Sequence, residues 1–126
     1  MNIIISILLS IMMGVSITPS NPNIVAFIEE SNKIDDPTQY TTYEKTQIGE
    51  AVVLTQLVDA PSEYLDGITA SDAAVLKSEF LKGMKSEPST AMFLNILKDE
   101  NVNFILRMKS TIDNNFIDFI FRPSDF

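Results

Sequence analysis

The last third of the chain repeats apolar side chains at intervals of four: Phe93 and Leu97, then Phe104, Met108, Ile112, Phe116 and Ile120. Residues four apart share one face of an α-helix. The spacing therefore predicts helix through STAMFLNILKDENVNFILRMKSTIDNNFIDFIF, with Pro123 as the stop. Unbroken, such a helix covers about 30 residues and roughly 45 Å. Asn101, within DENVN, interrupts the stripe and marks a kink or a loop between two helices. Phe119, Ile120 and Phe121 are consecutive, and with Phe116 and Ile117 they make the end of the segment apolar nearly all round. A helix of that kind is surrounded by protein or by membrane. A 126-residue chain has little with which to surround it, so the expected cover is other subunits. Phe104, Met108, Ile112, Phe116, Phe119 and Ile120 are the expected assembly interface.

The opposite end raises the same question. Residues 3–17, IIISILLSIMMGVSI, are apolar, and no charged side chain occurs before Glu29. The run is shorter than the roughly 20 residues of a membrane-spanning helix. It matches the apolar core of a signal peptide, with Gly14-Val15-Ser16 as the cleavage site, although the basic start is missing. As a helix it would align Ser6, Ser10 and Gly14 in a small-residue stripe on which a second helix packs closely. Residues 3–17 are also the part through which the chain would associate with a membrane.

Between the ends, Pro19 and Pro22 break the chain before NIVAFIEESNK, a short helix with Asn23 as N-cap and an apolar face of Ile24, Phe27 and Ile28. Residues 34–47 are polar and read as a linker. In residues 48–60, Val52, Val53 and Val58 suit a strand. Ile48, Ala51, Val52, Thr55 and Val58 fall at helical spacing, widened by Leu54 and Leu57, and we read helix up to Pro61. Ser71 can cap a further helix with a Leu76, Phe80, Met84 stripe that ends before Pro88. The expected fold is all-α: short helices joined by polar linkers, a long C-terminal amphipathic helix, and oligomerisation. Three regions follow: the apolar segment 1–17, a short helix with an acidic linker over 18–47, and a helical assembly region over 48–126.

Chemistry is easier to exclude. The chain has no Cys, His or Trp, which rules out disulfides, thiolate or imidazole metal ligands, and Ser-His or Cys-His catalysis. Its glycines are isolated, so no phosphate loop forms. Glu29-Glu30 and Asp99-Glu100 are adjacent pairs, which diverge on a helix. We expect no enzyme and no cofactor. With a net charge of −8, the chain lacks the cationic footprint that nucleic acid requires. The acidity is concentrated from Glu29 to Asp66, where nine acids face two lysines.

Three stretches resemble the inner rod proteins of bacterial type III secretion systems. ITPSNPNIVAFIEESNK is similar to the family's early Pro-containing stretch and short helix with a central Phe. TQIGEAVVLTQLVDA sits where the family has a weakly patterned helix. SEPSTAMFLNILKDENVNFILRMKSTIDNNFIDFIF resembles its C-terminal part, an acidic-Pro turn leading to a terminal amphipathic helix. The resemblance spans residues 17–121 and lies in layout. It implies a structural subunit of a virulence-associated protein-transport apparatus, self-associating through its C-terminal helix and contacting export-gate and needle subunits. The alternative is a small acidic helical protein, an effector or binding protein, secreted by a cleaved signal peptide. Either places the chain outside a bacterial cell or in its envelope.

Overall fold

The computed structural model describes residues 14–33 and 36–126. It is mixed α/β, which corrects the all-α expectation. The elements run β1 (Val15–Ser16), α1 (Pro22–Lys33), β2 (Gln39–Thr46), β3 (Gly49–Val58), α2 (Glu63–Asp66), α3 (Ala70–Ser86), α4 (Pro88–Asp99), β4 (Asn103–Ser110) and β5 (Phe116–Phe121), then a 3-10 turn, Pro123–Asp125. The strands form one sheet in the order β1-β2-β3-β4-β5. All neighbours are antiparallel except β3 and β4, which run parallel with Ala51 opposite Asn103 and Val58 opposite Ser110. A parallel pair needs a long crossover, and α2, α3 and α4 supply it.

The expected C-terminal helix is helical only in α4; beyond the break at Asn101 it is two strands. A spacing of four is shared by both periodicities: it returns to one face of a helix, and it keeps one parity along a strand. What separates them is the punctuation. Residues 111–115 make a tight hairpin in which the Ser110 amide donates to the Asn115 carbonyl and Asn114 takes a positive φ of 61°. Asn115 and Asn114 belong to a polar TIDNN cluster, of a kind that favours turns. Residues 48–60, expected as helix, hold strand β3 over Gly49–Val58, joined to β2 by a hairpin that Gly49 permits at φ 118°. Thr46 Oγ1 closes that turn by donating to the Gly49 carbonyl at 2.7 Å.

Other local readings shift by a residue or two. The first helix starts at Pro22, and its end is capped by Asn21, whose Oδ1 accepts from the Asn23 amide. Thr69 rather than Ser71 caps α3, in a reciprocal capping box with Asp72. The long crossover ends at Asn101, whose φ of 56° lets the Val102 amide reach back to the Leu97 carbonyl.

Helices α1, α3 and α4 stand on one face of the sheet. Alternation puts Val52, Leu54, Phe104, Leu106, Met108, Ile117, Phe119 and Phe121 on that face, against Ile24, Phe27, Phe80, Phe93 and Leu97. Phe27 stacks on Phe93 with ring centroids 3.6 Å apart. Burying a side chain such as Leu97 fully contributes about 1.5–3 kcal/mol. The outer edge of β2 is occupied too. Asn32 exchanges two hydrogen bonds with the Thr41 backbone, and the Ile17 amide donates to the Tyr43 carbonyl.

Candidate binding face

The opposite, second face of the sheet is built from the residues of other parity. On β3 these are Ala51, Val53 and Thr55; on β4, Asn103, Ile105, Arg107 and Lys109; on β5, Phe116, Asp118 and Ile120; on β2, Tyr40, Thr42 and Glu44. Ala51, Val53 and Ile105 form a small cluster with the half-buried Ile120. No described helix contributes to that cluster, yet the three central residues, and Thr55 beside them, have 0% exposure.

An ion triad lies across this face. Arg107 Nε donates to Asp118 Oδ1 at 2.8 Å and Nη2 to Oδ2 at 3.1 Å, a bidentate pair between β4 and β5. Nη1 reaches over β3 to Glu44 Oε2 at 3.3 Å. Thr42 Oγ1 donates to the same carboxylate oxygen at 2.8 Å. The guanidinium sits over the Phe116 ring, 4.5 Å from its centroid. All three charged side chains are buried or nearly so, with Asp118 at 0%. Burial pushes the Asp118 carboxyl above the ordinary carboxylate value, Arg107 draws it back, and Glu44 adds to the rise. Burial works against the Arg107 charge, but the two carboxylates raise its pKa further.

The triad satisfies itself. It ties three strands together, and its net charge of −1 makes the face unsuited to an anion. One buried polar atom on this face has no partner, Thr55 Oγ1, next to Arg107 in the register. Among the described residues, no group of three His, Cys, Asp or Glu side chains could hold a metal ion. The face is an apolar strip with a few placed polar groups, its central residues Ala51, Val53, Thr55 and Ile105 closed to solvent and its rim set by Ile120, Phe116 and the triad.

The expected assembly interface does not converge. Phe104, Met108 and Phe119 point into the helix-covered core, Phe104 and Phe119 fully buried there. Phe116 and Ile120 lie on the second face, and Ile112 is 60% exposed in the β4–β5 hairpin. Of the small-residue stripe, Ser6 and Ser10 lie outside the described residues. Gly14 is at the sheet edge, where a Cβ would meet the Lys45 carbonyl oxygen at 2.7 Å. Val15 and Ser16 pair with β2 and Ile17 packs on the core; residues 3–13 of the apolar run lie outside the described residues. No described helix is long and apolar enough to cross a membrane.

Sequence reasoning missed Glu44, Thr55, Arg107 and Asp118. A signal existed: Arg107 and Asp118 are lone, opposite charges inside FILRM and FIDFIF, and charges buried among apolar neighbours must find each other. No family model, curated protein or solved structure matches the chain.

Proposed function

We propose that this chain is a small non-enzymatic binding protein, exported from a bacterial cell or held in its envelope, that takes a largely apolar partner on the second face of its sheet. The observation that carries this reading is the face itself: an apolar strip of Ala51, Val53, Ile105 and Ile120 beside a self-satisfied triad and an unpaired hydroxyl, with no described helix on it. The apolar opening segment supports export. A rod subunit polymerising through a C-terminal helix has no such helix to use, because residues 103–110 and 116–121 are strands.

Two measurements test the proposal. Intact mass and N-terminal sequencing of the chain from its own cells and medium should find an extracytoplasmic form beginning near Ile17. A chain that remains cytoplasmic from Met1 refutes export. A photoreactive residue at Ile120 should then give one defined adduct in living cells, and none from the same residue at Glu79 on the outer side of α3. Identical adducts from both positions, or no adduct at Ile120, refute the binding face.

A further inference from the structure

Glu44 and Arg107 cannot meet without crossing β3, because β2 and β4 lie on either side of it. The register fixes where the crossing falls. Arg107 stands opposite Thr55 and Glu44 opposite Ala51, so the bridge runs diagonally over Val53 between them. Ala51, Val53 and Thr55 have 0% exposure. The two arms of the bridge are unequal. Asp118 holds the guanidinium through two hydrogen bonds, of 2.8 and 3.1 Å, and the guanidinium sits over the Phe116 ring. Glu44 takes a single, longer bond of 3.3 Å from Nη1. Its Oε2 also accepts from Thr42 Oγ1 at 2.8 Å, so it keeps a partner when Arg107 leaves. Nη1 has an alternative as well. Thr55 Oγ1, at the register level of Arg107, is a buried hydroxyl oxygen with no partner.

We propose that the Arg107–Glu44 arm is a strap over β3: it closes the strip with Nη1 on Glu44 and opens it by passing Nη1 to Thr55, while Asp118 keeps its hold on the arginine. The exchange trades one hydrogen bond for another and leaves no buried donor unpaired, which keeps the two arrangements close in free energy. It unfolds no strand, because the ladders from β3 to β2 and β4 are untouched. The bidentate Asp118 pair neutralises Arg107 in both arrangements.

That an open strap admits a partner rests on the binding reading above; the strap itself does not, and it is tested without a partner. The chain has no cysteine, so one introduced thiol is the only one present. In the full chain, Val53→Cys reports beneath the strap. Val52→Cys, on the helix-covered face of the same strand, reports general unfolding. Ala51→Cys replaces Val53→Cys if that variant does not fold. Glu44→Gln weakens the arm but leaves an acceptor for Thr42. It should speed labelling of Val53→Cys by a small thiol reagent at least about tenfold relative to Val52→Cys, because a charge-assisted bond is lost and the opening is local. Thr55→Val removes the second acceptor and should lower that ratio about threefold. Equal acceleration at positions 52 and 53 means general destabilisation and overturns the strap. So does labelling of Val53→Cys that Glu44→Gln leaves unchanged. A ratio that Thr55→Val does not lower overturns the exchange onto Thr55.

Discussion

Thr55 and Thr46 lie on strands paired with each other, β3 and β2, and replacing each by Val should have opposite signs. Thr55 has 0% exposure and its Oγ1 has no partner. A buried hydroxyl left unpaired costs about 1–3 kcal/mol. Val has the same shape and is equally suited to a strand, so Thr55→Val removes the penalty without opening a cavity. The expected gain is about 1–2 kcal/mol, which for a chain of this size raises Tm by roughly 3–8 °C. Thr46 is 8% exposed, and its Oγ1 donates to the Gly49 carbonyl at 2.7 Å and accepts from the Ile48 amide at 3.3 Å. Thr46→Val deletes that turn closure and should cost about 1–2 kcal/mol. Thermal melts and urea titrations of the two variants decide the matter, with equal urea m-values showing that the unfolded ensemble is unchanged. Thr55→Val that is neutral or destabilising would mean that the hydroxyl has a partner in solution, and the reading of this position would be wrong.

The triad and the hairpin tether make further predictions. Arg107→Met leaves Asp118 and Glu44 buried without their cation and should cost about 3–5 kcal/mol. Burial raises the Asp118 carboxyl and Arg107 draws it back, so in Arg107→Met it rises further, and a raised carboxyl contributes stability below its unfolded pKa that is lost as pH rises through the folded one. The deficit of Arg107→Met should therefore widen from about pH 4 to pH 7 in urea titrations; a deficit independent of pH refutes the triad. Asp113 accepts from the Ser62 amide and hydroxyl, which holds its carboxyl down at about 2 against an ordinary 3.8. A depressed carboxyl stabilises above the unfolded pKa and loses that contribution as pH falls through the folded one. Tm of the wild type should thus fall more steeply than that of Asp113→Asn between pH 3.8 and about 2. Parallel profiles would show that the tether does not form.

The sequence was legible where local chemistry decides. The Asn- and Thr-capped starts of α1 and α3, and the stops before Pro61 and Pro88, lie within two residues of their expected places. It misled where two periods coincide. Phe104, Met108, Ile112, Phe116 and Ile120 fit a helix and a strand equally, because all are four apart. The consecutive Phe119-Ile120-Phe121, read as a helix apolar on every side, is a strand with Phe119 and Phe121 against the helices and Ile120 on the opposite face. Short apolar runs cannot be assigned by periodicity alone. Here the Asp-Asn-Asn turn at 113–115 held the answer, and it divides the expected interface between two faces of one sheet. The ion triad was out of reach for a different reason: Glu44 and Arg107 are 63 positions apart and meet only through the β2-β3-β4 register.

The two-sided burial also limits what a partner can be. A parallel β3–β4 pair at the centre of a five-stranded sheet needs apolar cover on both faces. The crossover that makes the pair parallel delivers α3 and α4, with α1 beside them, to one face only. On the second face, among the described residues, Ile120 packs against the apolar strip and Arg107 crosses β3 to Glu44. Arg107, Asp118 and Glu44 discriminate among partners. Their mutual pairing removes the demand for a countercharge, and their net −1 disfavours a further carboxylate. A partner on this face must therefore present an uncharged apolar strand or helix, with a hydroxyl or amide for Thr55 and no carboxylate facing Glu44.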